Sequence, residues 1–155
     1  GRVYHPYWQH AATPLFALGE GGADDPVVTL SELSARATGC ATTSLEVLLT
    51  AHNPSTQFTA TPVVQVYLQD PVMPIVRYWK RLVAFQKLQL LPEQSVATVI
   101  PVAFDDMAFY DEEMHWLVPA GKYTVRVGLS SRTDKLTTIA EIQDPISAAT
   151  EGEDC

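Results

Sequence analysis

The sequence predicts an all-β fold, an antiparallel β-sandwich of about seven or eight strands. Apolar and polar residues alternate along most of the 155-residue chain, and turn-forming breaks separate the alternating runs at short intervals. Helical periodicity is nearly absent. The only helix-like stretch of any length, Thr29 to Ala37, fits a strand equally well through Leu30 and Leu33.

Taken in order, Val28, Leu30 and Glu32 open the pattern. Leu45, Val47 and Leu49 then alternate with Glu46, Leu48 and Thr50, and Val64, Val66 and Leu68 with Gln65, Tyr67 and Gln69. Leu82 to Leu90 is strand-like, with an apolar phase that slips between Phe85 and Leu88, as a bulge or bend there would produce. Val96, Thr98, Ile100, Val102 and Phe104 share one face of a long extended segment. Asp105 to Tyr110 suits a single turn capped by Asp105 or Asp106. Tyr123, Val125, Val127 and Leu129, and finally Leu136, Thr138, Ala140 and Ile142, complete the set. Asn53-Pro54-Ser55, Asp70-Pro71, Leu91-Pro92-Glu93 and Pro119-Ala120-Gly121 supply the turns. Trp116 is placed in or beside the core. Tyr123 is expected to cover a strand end with its hydroxyl bonded to backbone, a tyrosine corner.

The pattern divides the chain into an aromatic, aperiodic segment at 1–25, the sandwich at 26–143, and an acidic, frayed tail at 144–155. The opening segment needs something to lie against, either its own sandwich or a missing neighbour.

Composition excludes several functions. Ten Lys and Arg against 18 Asp and Glu leave a net charge of −8, without the basic surplus that nucleic acid requires. No run approaches the ~18 apolar residues of a membrane span. No CxxC, HExxH or Cys/His cluster suggests a metal site, and no cofactor motif is present. Gly1 to Trp8 lacks the basic start and apolar stretch of a signal peptide. Pro54 blocks the sequon-like context of Asn53. Cys40 and Cys155 are the two cysteines, and their pairing is left open.

Catalytic candidates are weak. Asp105, Asp106, Asp111, Glu112 and Glu113 offer either an acid/base pair or calcium ligands, but adjacent loop carboxylates diverge, and a solvated connection is the preferred reading. His5, His10, His52 and His115 share no ligand spacing. Ser130-Ser131 lacks a nucleophile elbow, and Gly19-Glu20-Gly21-Gly22 lacks the Lys-Ser/Thr of a phosphate loop. Arg77-Tyr78-Trp79-Lys80-Arg81 is the one basic and aromatic stretch. It suits stacking on a sugar or holding an acidic partner, or else it closes one end of the sandwich with its stems on apolar surface.

The order of features resembles a known family. Val64-Gln65-Val66-Tyr67-Leu68-Gln69-Asp70-Pro71 is followed by the basic stretch before Leu82-Val83-Ala84-Phe85. Leu90-Leu91-Pro92-Glu93-Gln94-Ser95 and Phe109-Tyr110-Asp111 come next, and Pro119-Ala120-Gly121-Lys122-Tyr123-Thr124-Val125-Arg126-Val127-Gly128-Leu129-Ser130-Ser131 closes the run. This resembles the fibronectin type III-like domain at the C-terminus of glycoside hydrolase family 3 enzymes, chiefly β-glucosidases and β-xylosidases. Gly1-Arg2-Val3-Tyr4 and Pro14-Leu15-Phe16-Ala17-Leu18-Gly19-Glu20-Gly21 are similar to that family's linker into the domain. The departures are Gly22-Ala23-Asp24-Asp25 in the linker, Glu93 at the turn glycine after Pro92, and Pro54-Ser55 where a glycine is expected after Asn53.

The resemblance implies an immunoglobulin/fibronectin type III-like sandwich without catalytic residues of its own, the catalytic domains lying upstream of Gly1. Its role would be mechanical, rigidifying the parent glycosidase by docking on those domains. A secreted, periplasmic or lysosome-like compartment is implied with it. Arg2, Tyr4, Tyr7, Trp8, Arg77, Tyr78 and Trp79 are the candidate interface residues, because aromatic and Arg side chains concentrate binding energy. The alternative is a free-standing carbohydrate- or protein-binding module that uses Tyr78 and Trp79 as a platform.

Overall fold

The computed structural model describes residues 17–19, 28–40, 42–71, 80–132 and 135–147. Seven strands make two antiparallel layers. β1 (Thr29–Ala37), β2 (Thr43–His52) and β5 (Ser95–Ala103) form one in the order β1-β2-β5. β3 (Val63–Gln69), β4 (Arg81–Lys87), β8 (Gly121–Gly128) and β9 (Leu136–Ile142) form the other in the order β4-β3-β8-β9. The layers stack so that β1 packs near β9 and β5 near β4. The fold is an all-β antiparallel sandwich, as the alternation predicts.

Period-two alternation sends one set of side chains of each strand into the space between the layers. Leu45, Val47 and Leu49 of β2 and Ile100 and Val102 of β5 meet Val64, Val66 and Leu68 of β3 and Tyr123, Val125 and Val127 of β8. Burying each such side chain contributes roughly 1.5–3 kcal/mol. At the β4–β5 edge, the Thr98 hydroxyl donates to Gln86 Oε1 across the layers at 3.0 Å.

A single helical turn, α1 (Phe104–Met107), leaves β5, followed by a small sheet of β6 (Phe109–Tyr110), β7 (Trp116–Val118) and β10 (Ile146–Ser147) in the order β10-β7-β6. The expected turn is therefore present, but it starts at Phe104, and Asp105 and Asp106 lie in its first turn instead of capping it. Burial of Phe104 and Met107 anchors the turn. β10 lies within the stretch expected as an acidic tail, and its Ile146 is buried against the core.

Thr29–Ala37 is a strand, with a register shift between Ser31 and Ser34 and a positive φ of 56° at Glu32. The irregularity in the next edge strand is also displaced from its expected position. The β3–β4 ladder shifts at Val83, so that Tyr67 pairs with Leu82 and Val66 with Ala84. β4 then ends at Lys87, and Leu88 and Leu90 turn into the core beside Pro62 and Ala60. A bulge and an early end together produce the phase slip.

Two loops hold by side-chain bonding. Asn53, fully buried after β2, donates from Nδ2 to the carbonyls of Phe58 (2.8 Å), Leu90 (3.1 Å) and Leu91 (3.1 Å), while Oδ1 accepts from the Ser55 amide at 3.1 Å. Glu93 sits at φ 59° in its turn, with its amide donating to Ser55 O at 2.9 Å. The chain thus keeps a conformation that suits glycine with a glutamate in place. Tyr123 forms the expected corner, its buried ring directing the hydroxyl to Pro119 O at 2.8 Å.

Candidate functional site

Arg2, Tyr4, Tyr7, Trp8, Arg77, Tyr78 and Trp79 lie outside the described residues. The described ends of the two stretches that contain them converge on one residue, Ser131, just past β8. Leu18 donates its amide to Ser131 Oγ at 3.0 Å, and the Ser131 amide returns a bond to Leu18 O at 2.8 Å. Lys80 Nζ donates to Ser131 O at 3.0 Å. This serine acts as a junction between the N-terminal segment and the basic stretch.

The junction is built on the outward-facing side of β3, where Gln65 and Tyr67 are buried although their neighbours Val64, Val66 and Leu68 fill the core. Polar side chains buried on the far side of a sheet require cover and partners. Gln65 Nε2 donates to Leu129 O at 3.4 Å and its Oε1 accepts from the Tyr67 hydroxyl. Lys80 lies over the Tyr67 ring, 4.7 Å from the centroid. Gly19, at φ 80°, closes over Gln65: a β-carbon there would stand 2.3 Å from Nε2 and 2.6 Å from Leu129 O. Only glycine meets both the conformation and the approach. The alternation assigns Gln65 and Tyr67 to the side away from the core. Their joint burial there comes from Ala17–Gly19 and Lys80, which are distant in sequence.

Next to Lys80, Arg81 ties β4 to α1. Its guanidinium donates to the carbonyls of Asp106 and Met107, the latter at 3.0 Å, and Nη2 lies 3.4 Å from Asp70 Oδ1. The planar guanidinium holds its donors in a fixed fork, so separate nitrogens serve the α1 carbonyls and Asp70 together. The basic stretch therefore ends in two structural anchors.

The acidic run bonds locally, and His115 Nδ1 lies 3.3 Å from Asp111 Oδ2 and 3.7 Å from Glu113 Oε2 at an exposed turn. Asp105 Oδ1 accepts from Trp116 Nε1 at 3.2 Å, and Trp116 packs against the core and 4.8 Å from the Tyr110 ring. Asp111 Oδ1 accepts from the amides of Glu113 (2.9 Å) and His115 (2.8 Å), closing the turn between β6 and β7. The His115 amide holds the Asp111 carboxyl below its ordinary range against the opposing effect of desolvation, with the Glu113 amide and the nearby imidazole adding to the lowering. His52 bonds Ser95 Oγ at 3.0 Å, whereas His5 and His10 lie outside the described residues. Among the described residues no group of three or more His, Cys, Asp or Glu is placed to hold a metal ion. No described helix is long and apolar enough to cross a membrane. Cys40 is disulfide-bonded, and Cys155, the other cysteine of the sequence, lies outside the described residues.

Residues 62–131 match the family of fibronectin type III-like domains. The chain is 30% identical over 132 residues to a β-xylosidase of Formosa agariphila, a match spanning 83% of this chain and 18% of the relative. It is 28% identical over 144 residues to a periplasmic β-glucosidase of Salmonella typhimurium, spanning 84% of this chain and again 18% of the relative. Among solved structures, β-glucosidase 3B of Thermotoga neapolitana in complex with glucose superposes with a TM-score of 0.76 and 30% identity, over 90% of this chain and 19% of that one. The β-D-glucoside glucohydrolase of Trichoderma reesei gives 0.70 and 27%, over 79% and 19%. The chain therefore spans about a fifth of the length of these proteins.

Proposed function

We propose that the chain, whose residues 62–131 match the fibronectin type III-like family and most of whose length matches part of several glycosidases, serves as the non-catalytic C-terminal sandwich of a family 3 glycoside hydrolase. The parent is a β-glucosidase-like glycosidase that cleaves β-glycosidic bonds, and the sandwich stabilises and docks on its catalytic domains. The observation that carries this reading is the match of most of the chain to about a fifth of several glycosidases. The junction at Ser131 supports it from within, because the N-terminal segment and the basic stretch are both tied there to the sandwich end. In this reading residues 1–25 are the linker, 26–143 carry the sandwich to which Ile146–Ser147 add a short strand, and the seven Arg and aromatic candidates serve the interface.

The test is turnover of an aryl β-glucoside by the purified chain and by the polypeptide that joins it to its upstream region. The joined polypeptide is expected to hydrolyse it and the isolated chain is not. Turnover that tracks with the isolated chain through purification removes the reading. Binding of a glycan to the isolated chain, lost in Trp79→Ala, would favour a carbohydrate-binding module instead.

A further inference from the structure

The two layers present very different outer faces. On β1-β2-β5, polar groups satisfy one another: Arg36 Nε donates to Glu46 Oε2 at 2.7 Å, the Thr50 hydroxyl to Glu32 Oε2 at 2.7 Å, and His52 bonds Ser95. Beside them the outward row of β5, Ala97, Val99, Pro101 and Ala103, is apolar and exposed, with Val99 opposite Leu48. The polar side chains of that face thus pair with one another, and its apolar row is made of small residues.

On β4-β3-β8-β9, Val63, Leu82 and Phe85 stand outward, and Phe85 is 68% exposed. Phe85 pairs with Gln65 and Lys87 with Val63, which places Phe85 and Val63 diagonally on one face. Lys87, Lys122 and Arg126 occupy the same face, with Glu141 beside Lys122 as the opposing charge among the described residues of that sheet face. An acidic chain thus gathers cations around an apolar strip. Ala17–Gly19 already lies across this face, above Gln65, so the polypeptide enters the sandwich on this side.

Resting on the reading above, we infer that the outer face of β4-β3-β8-β9 is the surface on which the catalytic portion of the same polypeptide sits. Its contact is an apolar centre of Val63, Leu82 and Phe85 with a cationic border at Lys87 and Lys122. The entering segment selects this occupant: a domain tethered through residue 17 is held at high effective concentration beside the face it crosses. Its matching surface is apolar with an acidic border.

Cysteine substitution at one exposed position on each face tests the assignment. Phe85→Cys and Val99→Cys are labelled with a thiol reagent, in the isolated chain and in the polypeptide that includes the upstream region, and labelling is read at each site by peptide mass spectrometry. Phe85→Cys is expected to react at least tenfold more slowly in the joined polypeptide than in the isolated chain, and Val99→Cys equally in both. Equal labelling at Phe85→Cys, or protection confined to Val99→Cys, overturns the inference. As a second measurement, Phe85→Asp lowers the unfolding midpoint of the joined polypeptide while leaving that of the isolated chain in place; no difference between the two counts against it. Failure of the joined polypeptide to hydrolyse an aryl β-glucoside defeats the functional reading. Hydrolysis together with an unprotected Phe85→Cys defeats the face assignment alone.

Discussion

Gly19 closes over Gln65 so tightly that a β-carbon on the glycine would lie 2.3 Å from the amide nitrogen. This approach seats the N-terminal segment on the outer side of β3 and lets a buried glutamine bond to Leu129 O beneath it. Gly19→Ala strains a positive φ by about 1–2 kcal/mol and adds the clash. The expected result is local opening: amide exchange at Ser131, which donates to Leu18, accelerates at least tenfold while the core strands keep their protection. Unchanged exchange at Ser131 would show that the segment contributes nothing to this junction.

Asn53 joins the loop after β2 to the turn before β5 through bonds from one buried amide group. Asn53→Ala leaves the carbonyls of Phe58, Leu90 and Leu91 without that donor inside the fold, at a cost of about 2–3 kcal/mol. Urea unfolding checks this through a lower midpoint at unchanged slope.

Tyr123→Phe removes the bond to Pro119 O and leaves the ring in place. A loss of about 1 kcal/mol is expected. An unchanged denaturation midpoint would mean the corner acts through ring packing alone.

Glu93 holds a φ of 59° in the turn that follows Pro92. Glycine removes the side-chain penalty of that conformation but adds unfolded-state entropy, so the two effects partly cancel. Glu93→Gly is expected to raise stability by up to about 1 kcal/mol, and Glu93→Val to lower it. The pair, compared by thermal unfolding, separates backbone strain from any effect of lost charge.

Asp111 gives a pH dependence of fixed sign. Its carboxyl titrates below the ordinary value of 3.8 because the His115 and Glu113 amides favour the charged form. A depressed folded-state pKa contributes stability above the unfolded value, and the contribution is lost as pH falls through the folded value. Carbon-detected NMR titration is expected to place the Asp111 midpoint below 3.8. Asp111→Ala removes that share of the acid dependence. The opposite shift would mean that burial, not the turn amides, governs this carboxyl.

The strands were legible because each layer faces water on one side and the core on the other, which writes a period of two into the residues. Val64, Val66 and Leu68, or Tyr123, Val125 and Val127, declare their side without reference to any other part of the chain. The tyrosine corner was legible for a similar reason, since its partner lies only four residues away. The phase slip after Phe85 was visible, but its cause was not. A bulge at Val83 and a strand end at Lys87 each displace the pattern, and only cross-strand pairing tells them apart.

The candidate site was legible as two separate stretches and not as one place. Composition marked the aromatic start and the 77–81 run, yet nothing local joins Leu18 and Lys80 to Ser131, 113 and 51 residues further along. Nor did Gln65 and Tyr67 signal that they are covered, because a polar residue on the outer side of a strand normally meets water. Local alternation by itself determined the number and sides of the main strands. Tertiary structure alone decided the register, the burial of Gln65 beneath Gly19, the service of Asn53 to two loops, and the placing of exposed Phe85 among cations on one outer face. Periodicity is a property of neighbouring residues, whereas cover and partnership come from segments that meet only after the chain has folded.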